Sequence, residues 1–174
     1  KWFHELDPKK IITVAGTNGK GTTCAVLECL LLAAGQKVGM YTSPHLIQTT
    51  ERIRVNGVDI FEEQFVQLFK DNQFLIETHQ LSHFEALTLM ASDYFFQLGL
   101  DYVIFEVGLG GTYDATNIFP NYYSVITKLG LDHQNILGNT LIEVAKNKFG
   151  IVKPNTFVVH HQLPSEVQSH KSDI

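Results

Sequence analysis

The sequence predicts an α/β domain in three layers, a P-loop domain with helices on both sides of a mostly parallel central sheet. Three observations predict it. Short apolar runs rich in β-branched residues, at 11–15, 37–42, 100–107, 122–128 and 156–160, alternate with segments of helical apolar spacing. The first run leads directly into Gly16-Thr17-Asn18-Gly19-Lys20-Gly21-Thr22-Thr23 and then into a helix-like segment. The strand–helix–strand order that follows demands a parallel pairing with a right-handed crossover.

Residues 11–15 are apolar on both faces, as a buried central strand requires. The next helix is expected from about Thr22, with Val26, Leu27, Leu30, Leu31 and Ala34 inward, ending near Gly35. Lys37 to Thr42 gives the second strand. Ser43-Pro44 breaks it and opens a polar excursion over 43–57, where Arg52-Ile53-Arg54-Val55 alternates before an Asn56-Gly57 turn. Helical spacing returns from Phe61 to about Glu77, with Phe65, Leu68 and Phe69 apolar. It returns again from Phe84 to Gln97, where Leu87, Met90, Ala91, Tyr94 and Phe95 share a face. Leu100 to Val107 is the strongest buried strand, and Tyr122 to Lys128 is the next. Thr140 to Phe149 reads as a short helix with Leu141, Val144 and Ala145 inward, stopped by Gly150. Pro164 to Ile174 is polar and carries little core signal.

The residues that carry chemistry cluster at strand ends. A glycine-rich turn lets several N–H groups converge on one anion, and the following helix adds its dipole. Lys20 is placed to reach terminal phosphates, and a hydroxyl at Thr22 or Thr23 to enter the shell of Mg²⁺. The plain alternative is a turn with no ligand. A lysine and two hydroxyls at the helix start favour the phosphate reading. Glu106 interrupts an apolar strand, a costly position for a carboxylate unless it is paired or metal-bound. Ser43 is a turn residue or a hydroxyl on the metal. Gly108, Gly110 and Gly111 imply a backbone that approaches something closely, with Asp114 and Asn117 offering polar contacts in the same loop. Phe84, just after Ser82-His83, is a core aromatic or a pocket wall. Asp132-His133 falls just past a strand. His133 is singled out because Glu106, Thr22 and Ser43 are expected at the same crevice, which suits one or two Mg²⁺ ions. His4, His79, His160, His161 and His170 have no such context and read as solvated or structural. Lys148 closes a helix, where residue chemistry alone makes it a dipole-compensating cation.

Composition excludes other classes. The 174 residues suffice for one sizeable core, and 44% hydrophobic content fits a globular domain. No apolar run reaches the roughly 18 residues that span a bilayer, and Lys-Trp-Phe-His-Glu is no signal peptide. A net charge of −5 without a basic run argues against nucleic acid, so a polyanion must be held by local features. Cys24 and Cys29 point to different faces of the first helix, which fits a reducing, cytoplasmic setting. Lys1 is not an initiator Met, so the chain reads as a fragment of something longer or a short relative of it.

Six ordered stretches together resemble one family: Ala-Gly-Thr-Asn-Gly-Lys-Gly-Thr, Tyr-Thr-Ser-Pro-His-Leu, Glu-Arg-Ile-Arg-Val-Asn-Gly, Glu-Val-Gly-Leu-Gly-Gly-x-x-Asp-Ala-Thr-Asn, Gly-Leu-Asp-His and Lys-x-Gly-Ile-Val-Lys-Pro. From about residue 10 to 163 the chain is similar to folylpolyglutamate synthases and dihydrofolate synthases of the Mur ligase superfamily. The resemblance implies a Mur ligase-like fold and an ATP-dependent ligase that adds L-glutamate to a folate or to dihydropteroate through an acyl phosphate. It implies ATP phosphates on Gly16, Thr17, Asn18, Gly19, Lys20, Gly21 and Thr22. It implies one Mg²⁺ on Thr22, Ser43 and Glu106, and a second on Glu106, His133 and a carbamylated Lys148. Phe84, Asp114 and Ala115 match positions that hold the pterin, and Lys20, Glu106, His133 and Lys148 are the catalytic set. It further implies that residues 1–174 are part of the N-terminal/central ATP-binding domain, without the family's second, Rossmann-like domain. A cytoplasmic monomer is expected, with no nucleic-acid or membrane partner. The family usually has Arg where this chain has Thr112, and usually Glu-Lys-Ala-Gly where it has Asn147-Lys148-Phe149-Gly150. Two other readings are a related ligase building cell-wall peptides, disfavoured by the Ser-Pro-His-Leu loop and Asp114-Ala115, and a nucleotide-binding P-loop module without ligase activity.

Overall fold

A computed structural model describes residues 7–170; the readings placed on His4 and the N-terminal pentapeptide lie outside them. In chain order the elements are β1 (Ile11–Ala15), α1 (Lys20–Ala33), β2 (Val38–Tyr41), β3 (Ile53–Val55), β4 (Val58–Asp59), α2 (Glu62–Thr78), α3 (His83–Gln97), β5 (Tyr102–Glu106), β6 (Tyr123–Ile126), α4 (Gln134–Leu137), α5 (Leu141–Phe149), β7 (Phe157–His160) and α6 (Ser165–Gln168). The strands form one sheet ordered β4-β3-β2-β5-β1-β6-β7. The β2–β5, β5–β1, β1–β6 and β6–β7 pairs are parallel, and β2–β3 and β3–β4 are antiparallel. The expected α/β architecture with a mostly parallel sheet is present.

Period-two alternation in β1 assigns the layers. Ile12 and Val14 face α1, where they meet Cys24, Val38, Met40 and Ile104, with Leu27, Leu31 and Leu32 at the margin. Ile11 faces α2 and α3 in a cluster with Tyr41, Leu68, Met90, Phe95 and Phe105. Ala15, on the same side, joins Ile126 to Ala145 of α5 and Val167 of α6. Two of the inward helices are started by local chemistry. Ser82 and Glu85 form a reciprocal cap at α3, and Thr140 and Glu143 do the same at α5. The β3–β4 hairpin turns at Asn56 and Gly57, both with positive φ (51° and 80°), the geometry its right-handed twist requires.

Two expectations fail. In α1, Val26 and Leu30 are 52% and 63% exposed and Ala34 is exposed, so they do not form the inward side. The true stripe is Cys24, Leu27, Glu28 and Leu31. Glu28 is buried because Gly57 donates its N–H to Oε1 at 3.1 Å and Arg54 lies 3.5 Å from Oε2. Almost every position from Cys24 to Ala34 is apolar, so periodicity leaves the phase of the helix open. The segment after Pro164 also matters to the core: Val167 is fully buried. A single apolar residue in a polar stretch gives periodicity nothing to detect.

Cys24 is buried and Cys29 exposed, as their spacing implies, and both are free. Among the described residues no helix is long and apolar enough to cross a membrane.

Val167→Ala should cost about 2 kcal/mol in urea denaturation, from lost burial and a cavity. Val159→Ala, at a site 63% exposed, should stay within about 0.5 kcal/mol.

Candidate functional site

The carboxyl ends of β1, β5 and β6 meet at the glycine-rich loop. Gly16 has φ +150°, and a Cβ there would overlap the Thr127 hydroxyl, so the chain can turn away from β1 only as glycine. Thr17 locks the loop to its neighbour. Its N–H donates to the Lys128 carbonyl at 2.9 Å, while its hydroxyl donates to Gly130 O at 2.9 Å and accepts from Gly130 N at 3.0 Å. Asn18 N also donates to Lys128 O, at 3.4 Å. Gly19, at φ +87°, starts α1 with no side-chain cap. The N–H groups of Gly19, Lys20, Gly21 and Thr22 therefore take no partner among the described residues. They form an anion cradle at the positive end of a helix. Of the expected phosphate-binding set, Thr17 and Asn18 spend their backbone donors on shaping the loop.

Two lysines bend over this cradle. Lys20 Nζ donates to Gly16 O at 3.1 Å, and Lys148 Nζ donates to the same oxygen at 2.9 Å. Lys148 is 3% exposed, so it is no solvated cation at a helix end. Burial, then the charge of Lys20, pushes its pKa down to about 8, against a smaller opposing pull from Asp132. Phe149 beside it packs against the α5–α6 cluster. Thr112 donates its N–H (2.9 Å) and its hydroxyl (3.0 Å) to Asn147 O, fastening the Gly108–Asn117 loop to the end of α5.

Glu106 ends β5 buried against the first turn of α1. A Cβ on Gly21 would lie 3.6 Å from each of its oxygens. Burial raises the pKa of this carboxyl, while the Ser43 N–H and Lys20 act in the opposite sense. Ser43 reaches it through the backbone, donating N–H to Oε2 at 3.0 Å. Glu51 fixes the Ser43 loop by accepting N–H bonds from Leu46, Ile47 and Gln48 at 2.8, 2.9 and 2.6 Å. Of the two threonines, Thr23 gives its hydroxyl to Gly19 O at 2.8 Å. Thr22 is exposed with its hydroxyl unengaged among the described residues, which makes it the freer donor to a metal.

Phe84, Asp114 and Ala115 do come together. They line a cavity of about 380 Å³ with Leu109, Tyr113 and Leu137. Asp114 is fully committed to its own loop: Oδ2 accepts from Gly108 N and Leu109 N at 3.0 and 2.9 Å. Oδ1 accepts from Thr116 N and its hydroxyl at 3.0 and 2.6 Å. His133 caps α4 at φ +47°, its ring 3.6 Å from Asp132 Oδ1 and more than half exposed. No hydrogen bond or ion pair joins it to Glu106 among the described residues. Thr127 and Lys128 are structural parts of the site that sequence reasoning missed. Their work is backbone bonding, which leaves no motif of its own.

No family model matches the chain. A dihydrofolate synthase/folylpolyglutamate synthase of Buchnera aphidicola is 49% identical over 149 residues, 86% of this chain and 36% of that protein. Escherichia coli FolC in complex with DHPP and ADP superposes with a TM-score of 0.85 at 42% identity, covering 98% of this chain and 42% of that one. The bifunctional folylpolyglutamate synthase/dihydrofolate synthase of Yersinia pestis, complexed with AMPPNP and Mn ion, gives a TM-score of 0.87 at 42% identity, covering 97% and 42%. The chain thus spans between 24% and 38% of the length of the curated relatives it matches.

Lys148→Met tests the buried cation. From pH 8 to 10.5 the unfolded chain holds a proton on Lys148 that the folded chain releases, so stability rises with pH across that window. Wild type should therefore gain up to about 3 kcal/mol on K148M over it, read by urea denaturation at stepped pH. A difference that does not vary with pH would contradict the burial.

Proposed function

We propose that this chain, a homologue of the dihydrofolate synthase/folylpolyglutamate synthases over about a third of their length, is the nucleotide-binding part of an ATP-dependent ligase. The ligase adds L-glutamate to a folate, to dihydropteroate or to both. Residues 1–174 are read as part of its ATP-binding domain, and alone they are not expected to complete the reaction. The observation that carries the reading is the cradle of N–H groups under Lys20 and Lys148, with the buried Glu106 carboxylate against the first turn of α1 and a separate cavity lined by Phe84, Asp114 and Ala115.

The chemistry follows from charge. A carboxylate oxygen of the acceptor bonds to the γ-phosphorus of ATP while the β–γ bridge breaks and ADP leaves. The amine of glutamate then attacks the acyl carbon and expels phosphate. Like charges meet in the first step, so the acceptor needs a cationic approach. Lys20 and the N–H groups of Gly19 to Thr22 hold the phosphates. The Phe84 ring and the 108–115 loop orient the acceptor, and Asp114 acts by fixing that loop.

The residues fit a first Mg²⁺. The Thr22 and Ser43 hydroxyls and the Glu106 carboxylate are hard oxygen donors near one helix turn, the set Mg²⁺ accepts alongside phosphate oxygens. When bound, it would supply charge neutralisation at the phosphates. A second ion would draw on Glu106, His133 and Lys148. Among the described residues no group of three His, Cys, Asp or Glu side chains gathers to hold it, so it depends on Lys148 becoming a carbamate. The lowered pKa of Lys148 favours the neutral amine that carbamylation consumes. A cytoplasmic monomer completes the proposal.

Phosphate release from ATP that depends on both glutamate and folate or dihydropteroate, measured on the full-length protein, tests it. Lys20→Ala or Glu106→Gln should lower kcat/KM on the order of 10²–10³. Nucleotide binding with no turnover of either acceptor would mean a P-loop module instead.

A further inference from the structure

Phe84 is held by two residues that no role above uses. Tyr41 ends β2 wholly buried, and its phenol oxygen lies 3.3 Å from Thr88 Oγ1 and 3.5 Å from the Phe84 carbonyl oxygen. Thr88 Oγ1 is 2.8 Å from that same carbonyl. A carbonyl only accepts, so Thr88 donates to it and leaves its own oxygen free to accept from the Tyr41 O–H. A threonine bonding back four residues is common in helices. A buried phenol arriving from a different element to complete the bond is not. The rings add to the grip: Tyr41 and Phe84 lie 5.8 Å apart between centroids. On the opposite side Gly108 has no side chain, and a Cβ there would stand 2.7 Å from Phe84 Cζ. Burial explains why the phenol stays protonated, with its pKa raised to about 12.

We infer that Tyr41 and Thr88 are positioning residues for the acceptor: they fix the backbone and ring of Phe84 at the mouth of the cavity it shares with Asp114 and Ala115. The inference rests on the reading of Phe84 as the wall of a pterin site. Freed from the pair, the first turn of α3 could rotate the ring off the Gly108 loop and spoil the cavity. The glycine-rich loop would be untouched, because its bonds run to Lys128, Gly130 and Lys148.

Calorimetric titration of the full-length protein, with folate and separately with a non-hydrolysable ATP analogue, tests this. Thr88→Val is expected to weaken folate binding about tenfold by loss of a buried hydrogen bond, with binding of the ATP analogue unchanged. Thr88→Ser should restore it, and Tyr41→Phe, nearly the same shape, should weaken folate by a smaller factor. Retained binding of the ATP analogue reports that each variant is folded. If Phe84→Ala weakens folate while T88V and Y41F do not, the positioning role is overturned and the pterin site stands. An equal loss of both ligands in T88V would make Thr88 a general structural residue and also overturn the role. No folate binding by wild type, or none lost in F84A, overturns the pterin site itself, and the inference falls with it.

Discussion

One carbonyl oxygen, that of Gly16, accepts from two lysine side chains, and the remaining site follows from that crowding. Two ammonium groups, four N–H groups without a partner among the described residues and a helix N-terminus meet where the chain supplies Glu106, with Asp132 more weakly, as counter-charge. The protein as a whole carries −5, so the positive field here is local and built by hand from the fold. Burial and the neighbouring Lys20 charge push the Lys148 pKa down to about 8, the direct mark of that crowding. A polyanion relieves it. The site is most complementary to several negative charges held close together, as they are in a triphosphate.

The sheet makes this convergence possible. With β1 between β5 and β6, the loops leaving three parallel strands open at one edge. β1 gives the glycine loop, β5 gives Glu106, and β6 gives Lys128 and Gly130. An antiparallel partner at either side would have sent one of these loops to the far edge. The antiparallel strands are kept to the margin, where β3 and β4 brace α1 through Glu28 and Arg54. The same helix thus carries the glycine-rich turn at one end and an ion pair to the hairpin further along.

Much of this was legible in the sequence, because it follows from period and from special residues. The parallel strands came from apolar runs, the loop from its glycines, and Glu106 from being a carboxylate where none should be. What was not legible depends on where a backbone atom lies. The phase of α1 was hidden by an almost unbroken apolar run, and only the hairpin's N–H and guanidinium explain a buried Glu28. From residue chemistry alone Lys148 reads as a dipole-compensating cation, and only the resemblance brought it to the site, since nothing in its surroundings in sequence announces that Gly16 O lies 2.9 Å away. Asp114 looked like a ligand contact, and all four of its bonds turn out to serve its own loop. Thr22 and Thr23 looked equivalent until the Thr23 hydroxyl was found on Gly19 O.

Thr112 and Phe149, two of the departures from the family pattern, illustrate how such a site tolerates change. Where the resembled family usually has an arginine, Thr112 places both its donors on Asn147 O, in the residue next to Lys148. Gly150 makes room for this, since a Cβ there would overlap the Thr112 hydroxyl. Phe149 adds bulk beside Lys148 in sequence, but consecutive helical residues point about 100° apart. The ring goes to the core with Ala145 and Ile151, while the lysine goes to the glycine loop. Both substitutions therefore act on how α5 is seated, and the reach of Lys148 toward Gly16 depends on that seating.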